Sequence, residues 1–265
     1  MGSSGLSAES LSKKLAENAQ LDDPNCRLGG YQDVNDSILF FNTDDTTGEV
    51  HWNRQAPFPS VVRIWNRQPV AVPTAGTHFG FVTHGPTELS CLAGRFTLDS
   101  GMYFRVPGEC QLTGGTGILS TRCDDTGLFC LGGPIEYTGR LRYIDGCSDT
   151  LLISPVVCGD PCLNLLHIPA HTRQTAHVHP TLRAGVIVTG TGQCCTPNGS
   201  TELYPGLAFV IPPDREHSFH TSDDSLLVVA WHPDSDTGPT HDDHPMVNRT
   251  IVDGVPASQI SEIRT

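Results

Sequence analysis

The chain has 265 residues and a formal charge of -13, with 29 acidic against 16 basic side chains. That balance repels a phosphate backbone and an anionic membrane surface alike, so neither nucleic acid nor membrane is an expected partner, and no run of about 18 apolar residues is present to span a bilayer. The 27 glycines and 20 prolines point to many short strands joined by tight turns, hence to an all-β fold.

Taken in chain order, residues 1–29 are the stretch that reads as a short helix or arm, with Leu6, Leu11, Leu15 and Leu21 among good helix formers. The segment lacks the apolar run of a secretory leader, so a cytoplasmic location with mostly reduced cysteines is the expectation. Cys158 with Cys162 and Cys194 with Cys195 are the only close cysteine groups, and no second pair stands at the spacing of a structural zinc site. Strand-like segments then follow at short intervals: SVVRIWNR, THFGFVTH, MYFRVP and GILSTR, and after them LNLLHIP, AGVIVTG, LAFVIPP and SLLVVAW. Turn signals such as TGTG, TPNGS and YPG separate them, the pattern of a sandwich or barrel. The tail from residue 236 is polar and proline-punctuated; MVNRTIV is expected there as an edge strand, and His241 and His244 with Asp242 and Asp243 are expected in a solvated loop.

Sliding the chain by 105 positions lays Gly80 on Gly185, Gly85 on Gly190, Gly101 on Gly206 and Pro107 on Pro212, without a gap. LDSGMYFRVP then falls on LYPGLAFVIP. Equal spacing of residues that set turn geometry argues for one supersecondary unit used twice.

The second copy carries TAHVHPTLRAGVIVTGTG, and its His177, His179 and Gly190, followed by Gly206, Pro212 and His217, resemble the two sequence motifs of the cupin superfamily. Four positions depart from that pattern: His171 and Asp214 stand where the family has glycine, Arg183 where it has a metal-binding glutamate, and Thr221 where it has asparagine. The resemblance covers residues 150 to 235 directly and 30 to 140 through the repeat. It implies a bicupin of two double-stranded β-helix (jelly-roll) barrels: an arm at 1–29, a degenerate cupin at 30–145, a metal-binding cupin at 146–235 and an extension at 236–265. Homodimers are common in the superfamily, and one is expected here.

The residues give the same site on physical grounds. Side chains two apart on a strand share a face, so His177 and His179 project together, and the even step to Arg183 keeps it on that side. His217 on a neighbouring strand supplies a third imidazole, a donor set suited to iron, copper, zinc or nickel; iron is the leading expectation, with manganese a further alternative. Three neutral imidazoles leave a divalent metal uncompensated and Arg183 adds a charge, so a small anion is expected, its carboxylate on the Arg183 fork and a second donor on the metal. Pairing of Arg183 with Asp214 or Glu216 is the structural alternative. Phe219 and Thr221 share parity with His217, whereas His220 should face outward. Phe209 and Ile211 are expected as cavity walls, and Thr175 and Gln193 as polar contacts. In the first copy Val72, Thr74 and Leu112 fall opposite the three histidines and His78 opposite Arg183, so no ligand trio is expected there.

An open-faced metal on three imidazoles can bind dioxygen, act as a Lewis acid or generate hydroxide. Cupin-like thiol and diketone dioxygenases with three-histidine sites make a metal-dependent oxygenase acting on a small carboxylate the leading expectation. A non-redox isomerase, lyase or hydrolase, and a metabolite-binding cupin without catalysis, stand beside it. No general acid or base is legible in the sequence.

Overall fold

The computed structural model describes residues 37–53, 57–72 and 76–263, so the helix expected near the start lies outside them. The first eleven strands are β1 (Leu39–Asn42), β2 (Gly48–Asn53), β3 (Ser60–Asn66), β4 (Val70–Val72), β5 (Thr77–His84), β6 (Thr87–Cys91), β7 (Gly94–Leu98), β8 (Tyr103–Pro107), β9 (Cys110–Thr113), β10 (Thr116–Arg122) and β11 (Cys130–Gly132). Then come β12 (Leu141–Arg142), β13 (Ser148–Ile153), β14 (Cys162–Ile168), β15 (Arg183–Thr189), β16 (Gly192–Thr196), β17 (Gly199–Leu203), β18 (Leu207–Ile211), β19 (Ser218–His220) and β20 (Leu226–His232).

The strands form two pairs of sheets. One larger sheet runs β11-β8-β5-β10-β3-β2 beside a smaller β4-β9-β6-β7; the other runs β1-β18-β15-β20-β14-β13-β12 beside β17-β16-β19. Read outward from β8 and from β18, the orders β8-β5-β10-β3-β2 and β18-β15-β20-β14-β13 match strand for strand. The 105-residue offset carries β6 onto β16 and β7 onto β17 to the residue. Two strands within 30–145 join the second-half sheet instead: β12 pairs with β13, and β1 pairs antiparallel with β18, Leu39 opposite Val210 and Phe40 opposite Phe209.

The core explains why strands such as AGVIVTG and SLLVVAW are apolar throughout instead of alternating. Residues on the outer face of one larger sheet, Val62, Ile64, Phe79, Phe81 and Ile118, pack against Leu165, Ala184, Val186, Ala208, Val210, Val229 and Trp231 of the other, with the Phe79 and Trp231 rings 6.1 Å apart. The intervening positions, Ile187, Phe209, Ile211, Leu226 and Val228, turn the other way and meet Cys194, Leu203 and Phe219 of the smaller sheet. A strand covered on both faces needs apolar residues at both parities. The first half repeats the arrangement, with Trp65, Val82, Leu89, Leu98, Phe104 and Leu112 enclosed between its sheets.

The repeated glycines prove to have two different tasks. Gly101 and Gly206 are turn residues with φ of 82° and 84°, as expected. Gly80 and Gly185 instead lie inside strands, opposite Phe104 and Phe209. A Cβ on Gly80 would stand 2.0 Å from the Phe104 ring, and one on Gly185 2.6 Å from the Phe209 ring. Each glycine is thus the floor on which a phenylalanine from the next strand lies, and the pair is duplicated as a unit.

In the tail, MVNR is helical instead of extended. Among the described residues the only α-helix is Pro245–Arg249, where the His244 side chain caps the amides of Met246 and Val247; an N-cap acceptor followed by proline at the first helical position favours this over a strand. Ile251–Val252 then forms a small hairpin with Val255–Pro256. No helix of the described residues is long and apolar enough to cross a membrane.

The glycine-phenylalanine pairing yields a stability test. Gly80→Ala should destabilise the fold by about 1–3 kcal/mol through overpacking, and Phe104→Leu in the same chain should recover part of that loss, as read from urea denaturation midpoints. Equal loss with and without the second change would show that the ring is not what the glycine accommodates.

Candidate metal centre

His177 and His217 face each other across an isolated bridge in which each amide donates to the other's carbonyl at 3.0 Å. His177 is not in a continuous strand as its spacing suggested; the segment before β15 touches β19 at single residues only. Gln174 helps to hold it there, its buried side chain accepting from the Phe219 amide at 3.1 Å. Asp214 donates its backbone N–H to the His179 carbonyl at 2.8 Å, tying the loop before β19 to the same segment.

The departures from glycine keep the geometry that glycine would favour. His171 and Asp214 adopt φ of 60° and 58°, the left-handed region that histidine and aspartate enter more readily than most side chains. The chain path around the site is therefore kept despite both replacements.

The three imidazoles converge. Their ring centroids are 5.0, 4.7 and 5.2 Å apart pairwise, and one nitrogen from each lies within 4.8 Å of the others. His177 Nδ1 is 2.8 Å from the Thr175 carbonyl and His217 Nδ1 is 2.9 Å from the Arg215 carbonyl. A carbonyl can only accept, so both Nδ1 atoms carry the proton, and each Nε2 presents its lone pair, as in metal-ligating histidines. Burial, with the Arg183 charge as a further cause, pulls His179 down to about 3; burial likewise pulls His217 to about 4 despite the Arg215 carbonyl. Neutral imidazole is the form that binds metal. The donor set fits a metal with open positions, held by His177, His179 and His217.

These side chains line a cavity of about 100 Å³ whose apolar walls include Leu166, Phe209, Ile211, Phe219 and Val228. Arg183 opens β15 at its edge. Nη1 donates to the carbonyls of Thr181 and Leu182 and, at 2.7 Å, to the Thr181 hydroxyl, which in turn donates to Asp234 at 2.5 Å. Nε is buried without a partner. Asp214 and Glu216 are exposed, and neither pairs with Arg183: among the described residues the salt bridges are Arg63–Glu49, Arg122–Asp124 and Arg140–Glu136.

Two expected contacts lie elsewhere. Gln193 sits outside the cavity, its amide donating to Glu202 at 2.7 Å, because residues of β16 alternate and its inward neighbour is the buried Cys194. Thr175 is exposed and bonds Asp145 through its amide and hydroxyl; only its carbonyl serves the site, through His177. Thr221 accepts from the Thr172 amide and donates to the Pro169 carbonyl, bracing the entry to this segment. His220 lies on the other side of β19, against Ser218 and Cys195. In the first half, Val72 and Leu112 are buried among the core residues, while Thr74 lies outside the described residues.

Tyr143, Asp149, Asn164 and His232 also line the cavity, and the sequence reading missed all four. Asn164 interrupts the apolar run of CLNLLHI, which was a legible signal; Asp149 comes from a strand with no such contrast. Burial pushes the Asp149 carboxyl up to about 6, against an opposing hydrogen bond from Asn164, so a group able to exchange a proton near neutrality stands in the cavity. Burial also holds His232 neutral and raises the Tyr143 phenol.

No protein family model and no curated protein matches the chain. Solved structures do. A cupin 2 conserved barrel domain protein from Leptotrichia buccalis aligns with a TM-score of 0.51 at 10% identity, covering 78% of this chain and 92% of that one. Salicylate 1,2-dioxygenase from Pseudaminobacter salicylatoxidans aligns with a TM-score of 0.51 at 11% identity, over 88% and 95%. Protein Ylba from E. coli aligns with a TM-score of 0.53 at 13% identity, over 75% and 92%.

Two measurements follow. His217→Ala should abolish stoichiometric metal retention, read by elemental analysis, and with it any rise in melting temperature on adding metal, whereas His220→Ala should keep both. Asp149 has a folded pKa raised above its unfolded value, so the folded state binds the extra proton between about pH 4 and 6 and loses stability as pH rises through that window. Asp149→Asn should therefore gain stability relative to the parent chain from pH 4 to 6, seen as a widening difference in denaturation midpoints; a constant difference would remove Asp149 as a buried titrating group. On these contacts the chain is an all-β protein of cupin fold with one three-histidine cluster able to hold a metal among its described residues.

Proposed function

We propose that the chain is a metal-dependent cupin enzyme, a non-haem oxygenase that acts on a small carboxylate-bearing substrate. The observation behind this reading is that three convergent imidazoles and a cation with an unpaired edge line one cavity. Iron held by His177, His179 and His217 would supply dioxygen activation there; copper is the redox alternative, and zinc, manganese or nickel would supply Lewis acidity.

The protein's own groups would do the rest. With Nη1 committed to Thr181 and Leu182, the edge containing Nε is what Arg183 offers to a carboxylate, in the side-on fork that makes arginine selective for planar anions. The link through Thr181 to Asp234 keeps the guanidinium from swinging away. Phe209, Phe219 and Ile211 would exclude bulk water and so strengthen the charge interactions inside. A salicylate 1,2-dioxygenase structure holding gentisate, itself an aromatic carboxylate, aligns at a TM-score of 0.51 and 12% identity, which supports the class by fold analogy.

Asp149 favours one second reading. A carboxyl titrating near 6 can take a proton from bound substrate and return it, as an isomerase or lyase requires and an oxygenase does not. A metabolite-binding cupin without turnover would use the same contacts.

The deciding experiment is elemental analysis of protein purified without added metal, beside the His177→Ala, His179→Ala double variant, then oxygen uptake with candidate carboxylates. Iron or copper near one per chain, lost in the variant, with substrate-dependent uptake reduced at least about tenfold in Arg183→Met, is the expected result. Zinc or manganese with oxygen-independent turnover would transfer the assignment to the non-redox enzymes. Ligand binding without turnover under either atmosphere would leave a binding protein.

A further inference from the structure

Arg183 is not the only group in the cavity with a spare hydrogen-bonding atom. The side-chain oxygen of Asn164 is also buried and without a partner, and the two residues line the same cavity and the cleft of about 280 Å³ beside it. Their characters are opposite. Arg183 Nε is a donor seeking an acceptor, and Asn164 Oδ1 is an acceptor seeking a donor. An ionised carboxylate can only accept, so of the two ends of the Asn164 amide the NH₂ suits the neighbouring Asp149 and the oxygen is left for another partner.

Strand register explains why these two address one space. Asn164 lies opposite Ala230, and Ala230 opposite Gly185, two residues along β15 from Arg183. Ala230 and Gly185 form a small floor on that row, with His232 beside them on the same face of β20, and the two polar heads are not hydrogen-bonded to each other. Buried polar groups left unpaired destabilise a fold, and natural interiors hold few of them. A matched donor and acceptor on opposite sides of a small floor is the arrangement expected of a site whose ligand supplies the missing partners.

We propose that the substrate is a small hydroxycarboxylic acid whose carboxylate lies on the Nε edge of Arg183 and whose hydroxyl donates to Asn164 Oδ1. This rests on the reading of Arg183 as the carboxylate-holding group. Charge selects a hydroxyl over an ammonium as the donor: Arg183 and a divalent metal outweigh the carboxylates of Asp149 and of Asp234, which is joined to Arg183 through Thr181, so a second cation in the ligand would be repelled. It also separates the ligand from a plain carboxylic acid, which would satisfy Arg183 and bury the Asn164 oxygen unpaired.

The test uses matched acids of equal carbon number: lactate against propionate and 3-hydroxybutyrate against butyrate, with alanine as the ammonium arm. Binding to the full chain is measured by calorimetry, both metal-loaded and chelator-treated, in the parent, Asn164→Leu, Asn164→Asp and Arg183→Met proteins. The expected result is at least about fivefold tighter binding of a hydroxy acid than of its deoxy partner, since one buried acceptor is satisfied in one case only. Asn164→Leu should erase that preference without weakening propionate or butyrate, Asn164→Asp should weaken all acids by charge repulsion, and Arg183→Met should weaken hydroxy and deoxy acids together.

Equal binding of both pairs to the parent protein overturns the inference without recourse to any variant, and so does a preference that survives in Asn164→Leu. Alanine bound more tightly than lactate overturns the choice of hydroxyl. These failures are distinct from failure of the functional reading: carboxylates bound without a hydroxyl preference sink only the inference, hydroxy acids preferred but never turned over sink only the enzyme, and no carboxylate bound in any form removes the role of Arg183 on which the inference stands.

Discussion

Strands β15, β18 and β20 are buried on both faces, and the remainder of the structure is arranged around that condition. One parity of each, Ala184, Val186, Ala208, Val210, Val229 and Trp231, meets the other larger sheet. The opposite parity looks into the space between its own sheet and β17-β16-β19. Covering both faces lowers the polarity of the second space, and that burial is what weakens the hold of His179 and His217 on a proton and makes an unpaired guanidinium edge attractive to an anion. The second half is therefore able to hold a site because the first half closes its back.

The two halves share strand order and even the glycine floor beneath a phenylalanine, yet among the described residues only the second has a histidine trio able to hold a metal. In the first half the same interior is filled by Trp65, Leu89, Leu98, Phe104 and Leu112. In the second, small residues at Gly185 and Ala230 and polar ones at Asn164, Arg183 and the three histidines leave a cavity. The difference lies in side-chain volume on a shared backbone plan.

Electrostatics decides what that cavity can accept. With no glutamate among the ligands, a divalent metal there would retain its full charge, and Arg183 stands nearby as a second cation. Asp234, joined to Arg183 through Thr181, and Asp149, whose carboxyl burial makes reluctant to ionise, are its counterweights. An anionic guest is the simplest way to balance such a site.

Sequence by itself determined the all-β class, the repeated strand unit and the grouping of His177, His179 and His217, because period, glycine spacing and ligand spacing are local properties that a chain carries without its fold. It also placed Phe209, Phe219 and His220 on the sides of their strands where the structure has them. It misjudged Gln193, whose direction is set by pairing with β17 and β19, and it read MVNR as a strand because the His244 cap that makes it helical is a side-chain contact. Only the tertiary structure decided that β1 joins the opposite half, that Gly80 and Gly185 accommodate rings instead of turns, and that Tyr143, Asp149, Asn164 and His232 share a cavity with the histidines. Those facts depend on which strands become neighbours across long separations in sequence, and strand order is fixed by the packing of whole faces, a quantity no short stretch of residues contains.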